Sequence, residues 1–258
     1  MITHKFTIKT AASILTVLFA TLLLGCTSNQ SIDGTYRAWL ESPGGELAFP
    51  LIIKKTSDSL SGYVVNGIDT SRFTRVVQKN DSIFLSFEYY DSHLEAEIGY
   101  TGTLTGRWHR RAEDGTRSSL PFQADPNTDY LRYPETNPEG YPFDGDWQAA
   151  FVDDEGAYPA HGTFVSEPGG KLHGTFATET GDYRFLNGYY TDSTMTLSTF
   201  DGTHAFLFRA RLQSDGEISG DFWSRDSYHA TFTAQKGPNR LRNPMEIAAG
   251  SVIGNKMT

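Results

Sequence analysis

The chain carries an internal repeat, and the repeat limits what it can fold into. IDGTYRAWL, from Ile32, returns as FDGDWQAAF from Phe143; DSLSGYV, from Asp58, returns as GKLHGTF from Gly170; TLTGRWH, from Thr103, returns as EISGDFW from Glu217. LPFQAD at Leu120 likewise matches ATFTAQ at Ala230. The matched segments keep one order at an offset of roughly 110 residues, the signature of a duplicated unit. Each copy must therefore close a core within about 100 residues, a common domain size.

Within each copy a smaller pattern recurs: turn residues, then Leu or Ile, any residue, Gly, any residue and usually an aromatic. It occurs at Leu60-Ser-Gly62, Leu104-Thr-Gly106, Leu172-His-Gly174 and Ile218-Ser-Gly220. The turn reverses the chain and the glycine admits a bulge or a close backbone approach, so these are hairpins. Tyr, Phe and Thr are plentiful and no long stretch keeps apolar residues at helical spacing. The prediction is an all-β protein of two tandem antiparallel β-meander domains, each with about eight short strands, closing as up-and-down barrels. Two-sheet β-sandwiches are the alternative. The opening Gly-x-Tyr at Gly34 and Gly-x-Trp at Gly145 resemble the first strand of lipocalin-like and avidin-like barrels.

Between the copies, DPNTDYLRYPETNPEGYP is rich in Pro, Asn, Asp and Glu and cannot continue a central strand. The expected divisions are a signal at 1–25, a short tether at 26–31, β domains at 32–125 and 142–237, a linker at 126–141 and a tail at 238–258.

Lys5 and Lys9 open the chain with positive charge, and Ala11 to Leu24 is almost wholly apolar or small. That run falls short of the roughly 20 residues a spanning helix needs. It closes on Leu23-Leu24-Gly25-Cys26, which resembles the bacterial lipobox, where the signal is cut before a cysteine that is then acylated. Cys26 is thus the expected lipidation site and the membrane anchor. Thr27, where aspartate would resemble the inner-membrane retention signal, points to an outer-membrane lipoprotein facing the periplasm. Cleavage removes two lysines and takes the formal charge from -9 to -11, which disfavours nucleic acid as a partner. With one cysteine, the chain forms neither an internal disulfide nor a CxxC redox pair.

In the second copy, GTFATETGDYRFLNG, LSTFDGTHAFLF and GEISGDFW resemble the β-rich amino-terminal region of TlpA-like lipoproteins, disulfide reductases of the thioredoxin superfamily. In that family a thioredoxin domain with a cysteine pair follows; no residue here matches its nucleophile, so the resemblance implies a β module without the reductase activity.

No phosphate loop, HExxH or Gly-x-Ser-x-Gly is present, and Asp153-Asp154 reads as a solvated turn. The chain is expected not to be an enzyme and to need no cofactor. His161 and His173 flank the turn EPGG and lack an obvious third ligand, which makes them solvent-facing strand residues and leaves no metal site. The aromatics Tyr36, Trp39, Trp108, Trp147, Phe222 and Trp223 are read as core, with a ring-lined pocket for a sugar as the alternative.

The candidate binding cluster is Asp182, Arg184, Asp201 and His204. Aligning Leu94, Ala96 and Ile98 with Phe206, Phe208 and Ala210 keeps one strand face apolar, turns His204 inward and replaces the outward Glu95 and Glu97 by Leu207 and Arg209. The four polar residues then share a barrel mouth, either as a capping network or as a receptor for a polar ligand. The function expected is a membrane-anchored, non-catalytic binding or scaffolding module with a periplasmic protein or small-molecule partner. The alternative is a barrel that binds an apolar or glycan ligand.

Overall fold

The computed structural model describes residues 32–126 and 128–241; Cys26 lies outside them. The first copy forms β1 (Gly34–Ser42), β2 (Gly45–Lys55), β3 (Leu60–Asn66), β4 (Asp69–Arg72), β5 (Arg75–Lys79), β6 (Ser82–Phe87), β7 (Ser92–Ile98), β8 (Leu104–Arg111) and β9 (Arg117–Asp125). The second forms β10 (Gly145–Asp153), β11 (Gly156–Glu167), β12 (Lys171–Thr178), β13 (Leu186–Tyr190), β14 (Thr194–Phe200), β15 (Ala205–Leu212), β16 (Ile218–Ser224) and β17 (Tyr228–Lys236). All pairings are antiparallel, as the repeat and its turns predict. The second copy is a closed eight-stranded barrel, sealed where β10 pairs with β17.

The first copy curls in the same way without a continuous ladder. Its nine strands run in the order β4-β3-β2-β1-β9-β8-β7-β6-β5, so two strands consecutive in sequence form the two edges. They are halves of one bent strand. At the bend, the Phe73 amide donates to Gly62 O at 3.0 Å and the Thr74 amide to Ser86 O at 2.8 Å, so the chain leaves β3 for β6 in mid-strand. Phe73 turns its ring inward onto Phe87, with centroids 4.7 Å apart.

The repeated tripeptides have a direct structural meaning. A Cβ on Gly62, Gly106, Gly174 or Gly220 would lie 2.6, 1.9, 2.0 and 2.4 Å, respectively, from a carbonyl oxygen of the neighbouring strand. Only glycine allows the strands to come so close, and close approach is what lets a short sheet coil tightly. The opening motifs match too: Tyr36 donates its hydroxyl to Ile32 O at 3.0 Å and Trp147 its Nε1–H to Phe143 O at 2.8 Å, each four residues back. Both rings are buried.

The register corrects the strand alignment drawn from sequence. Ala96 faces Gly106 and Ala210 faces Gly220, so Leu94 corresponds to Phe208 and Glu95 to Arg209, two positions from the expected match. A slip of two preserves the face, and the strand residues Phe206, Phe208 and Ala210 are inward as expected. The outward ones are not: His93, rather than Glu95, corresponds to Leu207.

Phenylalanine rings fill the barrel. Phe151 lies 5.2 Å from Phe176 and 4.9 Å from Phe232, and Phe208 stacks on Phe222 at 4.3 Å. The first core, by contrast, borrows from the second copy: Phe200, Ala205 and Leu207 are buried in it, and Trp223 packs against it. Phe200 reaches Phe49 at 4.6 Å and meets Trp108 edge-on at 5.6 Å.

Candidate functional site

The cluster picked from the sequence is assembled around one carboxylate. Asp201 is buried at the turn between β14 and β15. Its Oδ1 accepts the amides of Thr203 at 3.0 Å and His204 at 2.7 Å; its Oδ2 accepts His204 Nδ1 at 2.9 Å and lies 3.2 Å from Arg184 Nε. Burial drives the carboxyl upward, but the bond and charge of His204 and the two amides outweigh it and hold Asp201 below the ordinary carboxylate range. Asp182 stands outside this ring of contacts. Its Oδ1 accepts the amide of Arg184 at 3.0 Å, which supports the left-handed backbone of Arg184 at φ 64°.

His204 does not enter the barrel as the sequence suggested. It precedes β15, its side chain is 37% exposed, and its ring rests 5.0 Å from Phe206. The turn itself is wedged against the first copy: Arg110 Nε donates to Thr203 Oγ1 at 2.9 Å, and a Cβ on Gly202 would meet Phe87 at 2.5 Å. Asp201 thus caps its turn and pairs with Arg184 and His204, and Asp182 caps the local turn at Arg184.

The concave surface lies elsewhere. The linker does not hang free but straps across both copies, and its residues wall a cleft of about 880 Å³ with Ile68, Leu172, Phe185 and Tyr189. Arg132 holds the strap down. Its Nη1 donates to Ala48 O at 2.7 Å and Ser198 Oγ at 2.7 Å, its Nη2 to Val65 O at 2.8 Å and Asn66 Oδ1 at 3.1 Å, and burial lowers its pKa to about 10 without discharging it at neutral pH. Arg37, paired with Glu46, donates to Arg132 O and lies over Trp39 and Tyr130 at 4.8 and 5.4 Å. Tyr133 packs on Tyr189 at 4.7 Å, and His173 stacks on Phe185 at 5.8 Å. Charge at the rim is mixed: Lys171 lies 3.8 Å from Glu135, and His173 3.5 Å from Glu167. Asn187, also in the wall, has a buried amide nitrogen with no protein partner.

None of the strap residues was singled out from the sequence. The available signal was one arginine among the tyrosines and prolines of the linker.

His161 and His173 do not face each other: His161 lies opposite Ala177 and His173 opposite Val165. His161 is also buried rather than solvent-facing, bonded to Asp146 Oδ1 at 2.9 Å. Asp153 does cap a turn, accepting the amides of Glu155 and Gly156 at 2.8 and 3.2 Å, and it also accepts the Tyr228 hydroxyl at 2.6 Å. Among the described residues no helix is long and apolar enough to cross a membrane.

No family model and no curated protein matches the sequence. Among solved structures, the chain is similar to a candidate outer membrane protein from Bacteroides fragilis, at 12% identity, over 80% of this chain and 98% of that one, with a TM-score of 0.29. It is also similar to a protein of unknown function from the DUF3598 family of Nostoc punctiforme, at 11% identity, over 78% and 94% of the two chains, with a TM-score of 0.27.

Proposed function

We propose that this chain is a non-catalytic binding or scaffolding module of the cell envelope, anchored at Cys26 in the inner leaflet of the outer membrane, and that the strap cleft receives its partner. The observation that carries this reading is where space and chemistry coincide. The barrel interior is filled by rings, whereas the cleft joins aromatic walls, both signs of charge and the unsatisfied Asn187 amide. Concave sites of several hundred Å³ with apolar walls and a few polar groups are the usual form of a ligand site. The resemblance of the second copy to TlpA-like reductases makes a thioredoxin-domain protein the partner class to look for.

A small glycan or apolar ligand is the second reading. The rings of Tyr130, Tyr133 and Tyr189 favour it, because flat aromatic faces stack on sugar rings and apolar molecules.

Photo-cross-linking from the cleft in the intact envelope tests the proposal. A probe at Ile68 or Tyr130 is expected to trap a discrete protein adduct, while the same probe at Tyr100, exposed and not part of the cleft, traps none. Protein adducts identical from all three positions would overturn the cleft as the docking place. A small-molecule adduct confined to the cleft would select the second reading. Cys26→Ser is expected to move the chain into the aqueous phase of a detergent separation, and unchanged partitioning would overturn the anchor.

A further inference from the structure

The outward face of β7 and β8 carries residues that neither the core nor the strap uses. His93 and His109 lie directly opposite each other across the two strands, with ring centroids 5.2 Å apart and planes inclined by 29°. Glu95 follows His93 by two residues and so shares its face. One potential ligand atom from each of the three lies within 4.8 Å of the others.

The second copy shows what this face does when packing decides its residues. There the equivalents of His93 and His109 are Leu207 and Trp223, which cover the first core. In the first copy the same two positions are half-buried imidazoles that belong to neither core. Burial thus explains Leu207 and Trp223 and leaves His93 and His109 unexplained.

We propose that His93, His109 and Glu95 form a binding site for a borderline divalent transition metal, Zn2+ in the first instance, with solvent as the fourth ligand. Two imidazoles and a carboxylate are donors suited to Zn2+, and metal–ligand bonds of about 2.0–2.2 Å require these side chains to close in by about an ångström, which χ rotation on an open face supplies. The ring of His109 is steadied from behind: Ser119 Oγ lies 3.3 Å from its Nδ1 and accepts Arg107 Nε–H at 3.0 Å. Partners of this kind orient metal-binding imidazoles. Arg107, cross-strand from Glu95, makes a second bond to the Ser119 carbonyl at 3.4 Å, so both its hydrogen bonds go to Ser119. The site is separate from the strap cleft and does not rest on the reading of that cleft.

The test is calorimetric titration of the full chain, freed of metal by a chelator, with Zn2+. Saturable uptake of one equivalent is expected. His93→Phe and His109→Phe keep the ring stack and remove a ligand, and each is expected to weaken binding at least about tenfold. His229→Phe, at a histidine paired with Asp221 elsewhere, is expected to leave it unchanged. Absence of saturable uptake by the folded wild type would overturn the proposal, as would affinity indifferent to His93→Phe and His109→Phe. Should those two variants lose the cooperative unfolding transition of the wild type, Glu95→Gln decides: this exposed side chain packs in no core, and affinity unchanged by it would overturn the site.

Discussion

Asp201 shows how one carboxylate can organise a turn. Its place before Gly-Thr-His marks a turn, and the structure makes it the acceptor for two amides, an imidazole and a guanidinium. Because its folded pKa lies below the ordinary unfolded value of about 3.9, the unfolded chain binds the proton more readily. The stability it contributes is present above that value and is lost as the pH falls through the folded pKa. Asp201→Asn is expected to cost about 1–3 kcal/mol at neutral pH. Urea midpoints followed from pH 6 to pH 3 should fall more steeply for wild type than for the variant below about pH 4, and parallel curves would contradict this account. Arg132 was illegible for the opposite reason: its partners are mostly backbone carbonyls, which no sequence pattern marks.

Strands were legible at the level of their faces. The period of two and the glycines whose Cβ would strike the next strand specify which residues turn inward, and a slip of two between the copies leaves that assignment untouched. Register escaped because it is decided by cross-strand pairing, where Gly106 meets Ala96 and Gly220 meets Ala210. The break between β4 and β5 escaped as well, since Phe73 and Thr74 both suit a strand and only the inward turn of the Phe73 ring ends it. The end of β14 shows an element of one copy supporting the other. Asn66 Nδ2 donates to Phe200 O at 2.7 Å and the Phe200 amide donates to Asn66 Oδ1 at 3.2 Å, while the ring fills the first core. Phe200→Ala is expected to cost about 3–5 kcal/mol, the range for a large ring removed from a core. A denaturant midpoint close to that of wild type would show that the first core closes without it.

Over the described residues, the two copies behave as one body because their polar and apolar junctions coincide. Arg132 bonds to β2, β3 and β14, so its loss would strand buried acceptors on both copies at once. A single calorimetric transition is expected for the whole chain, with Arg132→Ala lowering it by about 3 kcal/mol or more. Arg132→Lys should restore little, because an ammonium cannot span the acceptors that a guanidinium fork reaches. Two resolved transitions in the wild type would refute the shared junction. Strand class, duplication and the inward strand faces were legible in the residues, because turn chemistry, side-chain alternation and glycine sterics act between near neighbours. Tertiary structure alone decided that the linker is a strap, that Leu207 and Trp223 cover the first core while His93 and His109 stay open, and that space lies in the cleft rather than the barrel. Those outcomes depend on which surfaces meet at long range: an apolar outward residue such as Leu207 marks a strand covered on both faces without saying what covers it.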